Sequence, residues 1–200
     1  MKKETVRERQ KRQTRALILE TARTLFATKG FQETTIRTIA SEAGIGLGTV
    51  FNYFPDKTAL LVAALMDDLA NVGVAAMESC PGDVCFLDKF LHFSKQYYSY
   101  YASNIALSRT LIKEMLFVEG ECAISLREQF YQYLMMLSGM IQEDQSLAEN
   151  LKGQDTMLVA ECLFSNYYAV LLMGLSAEEF GVDIFVNKLK KMASFTLNGA

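Results

Sequence analysis

The stretch EAGIGLGTVFNYFPDK, residues 42–57, decides the fold of this chain. Gly44, Gly46 and Gly48 alternate with apolar residues and suggest, at first sight, a loop that cradles a phosphate. Such a loop needs a strand, then G-x-G-x-x-G, then a helix. Here the spacing is G-x-G-x-G, and the residues before it repeat with helical rather than strand period. A dinucleotide site fits neither the spacing nor the preceding element.

The flanking residues explain the glycines better. Leu17, Ile18, Ala22, Leu25 and Phe26 recur at helical spacing, and Gly30 follows where a helix stops. Thr35 can cap a short helix running to about Ala43, with Ile36, Ile39, Ala40 and Ala43 on its inner face. Gly44 turns the chain at low steric cost. A second short helix is predicted from about Gly46 to Tyr53, with Val50 and Phe54 inward, before Pro55 breaks it. Asp56 can then cap a long helix reaching about Ser79. Ala40 leaves room for the second helix, and Ile39, Ala43, Ile45 and Val50 supply an apolar seam. Two short helices meeting in this way form a helix-turn-helix, whose second helix enters the DNA major groove. Gly46 and Gly48 then lie at its exposed start, where a bare backbone can approach phosphates and base edges. Each glycine weakens so short a helix by about 1 kcal/mol, so this surface is expected to order fully on meeting its partner.

Charge points the same way. Residues 1–57 carry 11 Lys and Arg against 6 Asp and Glu, whereas residues 58–200 carry 9 against 17. A basic front on an acidic body suits a front that meets a polyanion. Seven of those 11 cations precede position 16, in the arm KKETVRERQKRQTR, which is expected to be disordered in the free protein. The arm is either a DNA contact or a solubilising tail, and its place beside the reading head favours DNA.

With two prolines and 12 glycines in 200 residues, the remainder reads as helical. Amphipathic helices are predicted at about 84–101, 104–118, 121–144, 155–179 and 183–198, with no strand-like alternation of useful length. The longest strongly apolar run, YYAVLLMGL (167–175), falls short of the roughly 20 residues of a membrane span. The N-terminus has charge but no apolar segment of a secretory signal after it. A soluble cytoplasmic protein with no membrane association is expected. Cys80, Cys85, Cys122 and Cys162 form no C-x-x-C pair, and His92 is the sole histidine, so no metal site is predicted. The thiols read as buried groups in a reducing compartment, with a redox switch as the alternative.

The segment TTIRTIASEAGIGLGTVFNYFPDKTALL, residues 34–61, resembles the DNA-binding segment of the TetR family of bacterial transcriptional regulators. The Thr-x-x-x-Ile-Ala opening, the Ala-Gly turn, the Gly-Thr-Val-Phe-x-Tyr-Phe core and the Lys after Pro-Asp fall in register. The resemblance covers about the first third of the chain. It implies an all-α protein of about nine helices. A three-helix DNA-binding domain (1–57) with the basic arm would precede a larger ligand-binding and dimerisation domain (58–200). It also implies a homodimer, packed through the last two helices, that binds operator DNA and releases it when a small molecule occupies the larger domain. By position, Thr35 and Thr49 would hold phosphates through their hydroxyls, Tyr53 would place its phenol on the backbone, and Lys57 would add charge. Arg37 could reach a base or a phosphate. Gly46, Leu47, Gly48 and Asn52 would face the groove, with Asn52 as the main candidate for base reading. So few hydrogen-bonding side chains leave DNA shape and the arm a larger share of recognition.

The larger domain is rich in aromatic and methionine side chains. Phe90, Phe93, Tyr97 and Tyr101 fall near one helical face, and Met115, Phe130, Tyr133, Phe164 and Tyr167 lie on later helices. Any one of them belongs in an ordinary core. As a set they hold more phenols than a dry core prefers, which suits a pocket for a flat or lipophilic ligand. His92 and Asn166 could orient it, while Glu114 or Glu161, facing a cavity, would favour a cation. The alternative is a regulator without a small-molecule inducer, controlled by a protein partner or cysteine oxidation, or acting as an activator. The sequence has no P-loop, no G-x-S-x-G and no H-E-x-x-H, so no enzyme and no cofactor are expected.

Overall fold

A computed structural model describes residues 5–151 and 153–198 of the chain. Among them lie ten α-helices and no strand: α1 Val6–Lys29, α2 Ile36–Glu42, α3 Leu47–Phe51, α4 Lys57–Glu78, α5 Phe86–Ser103, α6 Ile105–Leu116, α7 Gly120–Glu143, α8 Gln145–Asn150, α9 Thr156–Ser176 and α10 Val182–Asn198. The helix beyond the expected nine is α8. Its N-cap, Asp144, accepts the Leu147 amide at 3.1 Å.

The helices pack as two compact units. The first takes the chain up to Asp68 together with Ala106–Cys122; the second takes Leu69–Ile105 and the chain from Ala123 onward. In the first unit, α1 and α2 pack together, as do α2 and α3. Its core contains Ile18, Leu19, Ala22, Leu25, Phe26, Ile39, Ala40, Val50 and Phe54. Gly30 ends α1 at φ +83° and donates its amide to Phe26. Thr34, fully buried, donates its hydroxyl to the Gly30 carbonyl at 2.8 Å and so ties the end of α1 to the chain entering α2. On α1, Arg23 sets Nε 2.7 Å from Asp68 and donates through Nη2 to the Ala64 carbonyl, which clasps α1 to α4.

The arm departs from expectation. From Val6 it is helix, continuous with α1, and only Lys2, Lys3 and Glu4 of it lie outside the described residues. The cause is local. Thr5 accepts the Glu8 amide while Glu8 accepts the Thr5 amide, a capping box, and no glycine or proline interrupts residues 5–29. Density of charge was the signal for disorder, yet Arg, Lys, Gln and Glu are good helix formers.

In the second unit, α5, α9 and α10 pack against one another. The buried side chains include Phe86, Phe90, Tyr98, Leu163, Tyr167, Leu171, Phe180 and Leu189. Asp144 serves two helix starts, because it also accepts the Phe86 amide at the start of α5 at 2.9 Å. The Phe86 amide first, and then that of Leu147, hold the carboxyl below its ordinary range. A carboxyl held low stabilises above its unfolded pKa, and that contribution is lost as pH falls through the lowered value. Asp144→Ala is expected to cost about 1–2 kcal/mol for the lost caps. Urea denaturation at neutral pH checks it, and a loss under about 0.5 kcal/mol would remove the capping role.

Two helices, Lys57–Glu78 and Thr156–Ser176, are long and apolar enough by composition to cross a membrane, with 39% and 44% of their apolar windows buried. Neither helix is one uninterrupted apolar run, because Asp67 and Asp68 interrupt the first and Glu161 the second. The thiols also differ from expectation, since none is buried: Cys85 and Cys162 are exposed, and Cys80 and Cys122 are half-buried.

Candidate nucleic-acid interface and effector site

The helix-turn-helix is built from caps and one left-handed turn. Thr35 caps α2 by accepting the Thr38 amide at 3.0 Å. Its hydroxyl also lies 2.8 Å from that of Thr38. When Thr38 donates, the Thr35 O–H stays available to a phosphate. Gly44 adopts φ +66°, a region in which side chains with a Cβ are strained, and the Ile45 amide then closes onto the Ala40 carbonyl at 3.0 Å. Of the expected seam, Ile39 of α2 and Val50 of α3 are buried, with Ala40 beside them, while Ala43 and Ile45 at the turn are half-buried.

Gly46 is the N-cap of α3 and offers no side chain to its amides. A Cβ at Gly48 would meet no protein atom within 4 Å, so internal packing does not require that glycine. Arg37, Gly46, Gly48 and Asn52 are exposed, and Leu47, Thr49 and Tyr53 are half-buried on the same short segment. Lys57 takes a different place. Its ammonium donates to the Phe31 carbonyl at 2.7 Å and stands 4.3 Å from the Phe31 ring centroid, bracing the loop between α1 and α2. Its charge sits beside the head, but its donors are partly used. Phe51, on α3 next to Asn52, is a further exposed residue of this helix: it is 48% exposed although Val50 and Phe54 of the same motif are core. An exposed ring on a groove-facing helix can contact a thymine methyl. The signal was available, since Phe51 follows inward Val50 by one position and must point elsewhere.

The aromatic residues of the second unit divide. Phe164 is the hub, with ring centroids 4.7 Å from Phe130, 5.8 Å from Tyr133 and 5.9 Å from Tyr167. Tyr101 hydrogen-bonds the Tyr167 phenol, and Tyr97 acts electrostatically on both Tyr133 and Tyr167. Tyr97, Tyr101, Phe130, Tyr133, Phe164 and Tyr167 are thus brought together. Phe90 instead stacks on Phe86 at 6.2 Å, Phe93 stands edge-on to His92, and Met115 belongs to the first unit. Three further members escaped the sequence reading. Tyr98 stacks on Tyr167 at 5.1 Å and donates to its carbonyl at 2.8 Å. Tyr168 stacks on Phe164 at 6.0 Å. Phe180 lies 5.8 Å from Tyr98 and sits so close over Gly174 that a Cβ there would collide with its ring. Burial holds the phenol pKa values of Tyr97, Tyr98, Tyr101, Tyr133 and Tyr167 above the ordinary value. They remain protonated donors at any ordinary pH.

The polar residues considered as ligand-orienting groups are occupied. His92 donates from Nε2 to the Ala76 carbonyl at 3.1 Å, and Asn166 donates to Thr196 at 2.8 Å. Glu114 accepts the Thr58 hydroxyl within the first unit at 2.9 Å, and Glu161 is exposed. A separate groove of about 210 Å³, among Cys85, Phe86, Asp144, Leu147, Ser194 and Leu197, holds none of the predicted ligand residues.

Residues 18–64 match the family model described as bacterial regulatory proteins, tetR family. The chain is 49% identical over 49 residues to the uncharacterized HTH-type transcriptional regulator YuxN of Bacillus subtilis, a match covering 24% of this chain and 17% of that protein's length. It is 22% identical over 156 residues to the fatty acid metabolism regulator protein of Bacillus subtilis, covering 78% of this chain and 80% of that one. Among solved structures, Thermus thermophilus FadR in complex with lauroyl-CoA superposes with a TM-score of 0.73 at 22% identity, covering 92% of this chain and 93% of that one. At that identity the likeness is one of fold.

Proposed function

We propose, from the match of residues 18–64 to the model of the tetR family of bacterial regulatory proteins, that this chain is a transcriptional repressor released from its operator by a small lipophilic or aromatic ligand. The observation that carries the reading is the Gly44 turn, which presents a short, exposed helix start poor in side chains. Thr35, Thr49 and Tyr53 hold phosphates, Arg37 reaches a phosphate or a base, and Asn52 reads an adenine edge. Residues 1–57 are the DNA-binding part, and residues 58–200 bind the ligand and dimerise.

Dimerisation through α9 and α10 is supported by an outer face that the chain leaves uncovered. Leu158 is 58% exposed, Ile184 72% and Phe195 68%, with Leu172 and Met173 between them. Two heads on a two-fold axis fit half-sites one or more helical turns apart. The helix α4 begins in the first unit and ends in the second, so a ligand that favours one head spacing shifts operator affinity through it. Phe195→Asp is expected to yield a monomer in sedimentation, with loss of tight operator binding; a dimer that survives would place the interface elsewhere.

Operator binding by the purified protein tests the whole reading. It is measured by footprinting and anisotropy on fragments of its own upstream region, with lauroyl-CoA as the first effector probe because the Thermus thermophilus structure holds it. Two protected half-sites and release by the probe are expected. Equal, weak binding to every fragment would overturn it. Asn52→Ala is expected to weaken binding to the site by about 1–3 kcal/mol per head, leaving non-specific binding unchanged. A uniform loss on all sequences would make Asn52 a phosphate contact. The exposed thiols of Cys85 and Cys162 support a second reading, control by cysteine oxidation. Operator release by peroxide, reversed by a thiol reductant, would establish that reading instead.

A further inference from the structure

His92 is the sole histidine of the chain, and its ring joins the last turn of α4 to α5 within the second unit. The end of α4 shows what the ring does there. The last carbonyls of a helix lose their amide partners. Here the Ser79 amide takes the Ala75 carbonyl at 3.0 Å, and the Cys80 amide takes that of Met77 at 3.3 Å. The Ala76 carbonyl between them is left without a backbone donor among the described residues. Ala76 is 0% exposed, so water cannot serve its carbonyl either. His92 does, with Nε2 at 3.1 Å.

The partners also fix which ring nitrogen holds the hydrogen. A carbonyl only accepts, so Nε2 carries it. Ser79 lies 3.2 Å from the same nitrogen. Its own hydroxyl is 2.7 Å from the Ala75 carbonyl and 3.4 Å from that of Ala76, so its proton goes to Ala75. Ser79 therefore accepts from Nε2 as well.

One turn earlier, α4 meets α5 again. A Cβ on Gly73 would stand 2.7 Å from the Tyr97 hydroxyl, so α5 lies close against bare backbone there. The pairs Gly73 with Tyr97 and Ala76 with His92 run in opposite directions along the two helices, which are antiparallel neighbours. The next residue of α5, Tyr98, stacks on Tyr167 at 5.1 Å and donates to its carbonyl. One helix thus touches the aromatic cluster and holds the end of α4.

We propose that His92 is a positioning residue, which caps the end of α4 from α5 and so ties α4 to the helix that touches the aromatic cluster. This rests on the repressor reading, in which the state of α4 sets operator affinity. Without the cap a buried carbonyl loses its donor, and the last turn of α4 frays. The helix then samples more positions. The fraction of molecules ready for the operator falls, and apparent affinity falls with it.

The cap is tested first, on the full chain. A sole histidine gives one set of imidazole signals in NMR. In mildly alkaline buffer, Nε2 is expected to carry a proton that leaves slowly enough to be seen in water, with Nδ1 bare. A ring proton on Nδ1, or no detectable ring proton, would overturn the cap. In amide hydrogen exchange, His92→Asn, whose amide falls short of the carbonyl, should speed exchange at Ser79 and Cys80 about 5-fold, the worth of one hydrogen bond. His92→Gln places an N–H where Nε2 stood and should keep the protection. Unchanged exchange in His92→Asn, or an equal loss in His92→Gln, would also overturn it.

Operator affinity tests the positioning. His92→Asn is expected to bind the operator about 5-fold more weakly or worse, the low end of ordinary allosteric couplings, while His92→Gln binds as the unaltered chain does. A frayed α4 with unchanged operator affinity would overturn the positioning role. Thermal melts show that each variant is folded at the assay temperature, and if His92→Asn is not, the ring proton of the unaltered chain and His92→Gln still decide. If the unaltered chain binds no operator at all, the repressor reading fails and the positioning role with it, while NMR and exchange still judge the cap.

Discussion

Phe26→Ala will lower the free energy of unfolding by about 3–5 kcal/mol, the usual cost of emptying a core site of a large ring. Phe26 is 1% exposed, and its ring lies 5.4 Å from that of Phe31. Its carbonyl accepts the Gly30 amide that ends α1, and Thr34 anchors the next segment to the Leu25 and Gly30 carbonyls. The hole therefore opens where α1 hands over to α2, and small cores cannot collapse to fill it. Lys57 would feel the change, because its ammonium rests on Phe31. The expected result in urea is a lower midpoint with an unchanged slope, accompanied by loss of operator binding. A fall below about 1 kcal/mol would show that the packing around Phe26 re-forms without it.

Salt will weaken operator binding steeply. A dimer that neutralises about six phosphates loses roughly 1,000-fold in affinity between 50 and 200 mM salt, because each neutralised phosphate releases a condensed counterion. The first turns of α1 carry Arg7, Arg9, Lys11, Arg12 and Arg15, all exposed, and α2 carries exposed Arg37. Because α1 holds this arm as a helix, those charges are carried on a stiff rod, and binding through them costs little ordering. Replacing Arg7, Arg9 and Lys11 with Gln should flatten the slope of log affinity against log salt by about one unit for each phosphate that is no longer neutralised. Specificity for the operator should be preserved, since phosphate contacts position the head without reading bases. An unchanged slope in the triple variant would make this stretch a solubilising helix with no part in DNA binding.

Much of the head was legible because its determinants are local. Thr35 and Asp56 cap the helices that follow them, Gly30 and Gly44 take positive φ where helices end, and Pro55 breaks the chain after α3. Each effect operates over three or four residues and is written in residue type. The helical arm was local too, in the Thr5–Glu8 box, and was missed because charge was weighed above capping. Short α8 escaped because six residues carry no readable period.

The sequence by itself determined that the chain is all-helical, where the reading head lies and which residues its turn exposes. Only the tertiary structure decided that Lys57 braces Phe31 from 26 residues away, that Tyr98 rather than Phe90 joins the phenol cluster, and that Tyr98 closes onto a carbonyl 69 residues distant. Periodicity tells which side of a helix is apolar, but several aromatic residues on one face are equivalent by that rule. Which of them meet is settled by the crossing of α5, α7 and α9, a property of packed helices that no short window of sequence contains.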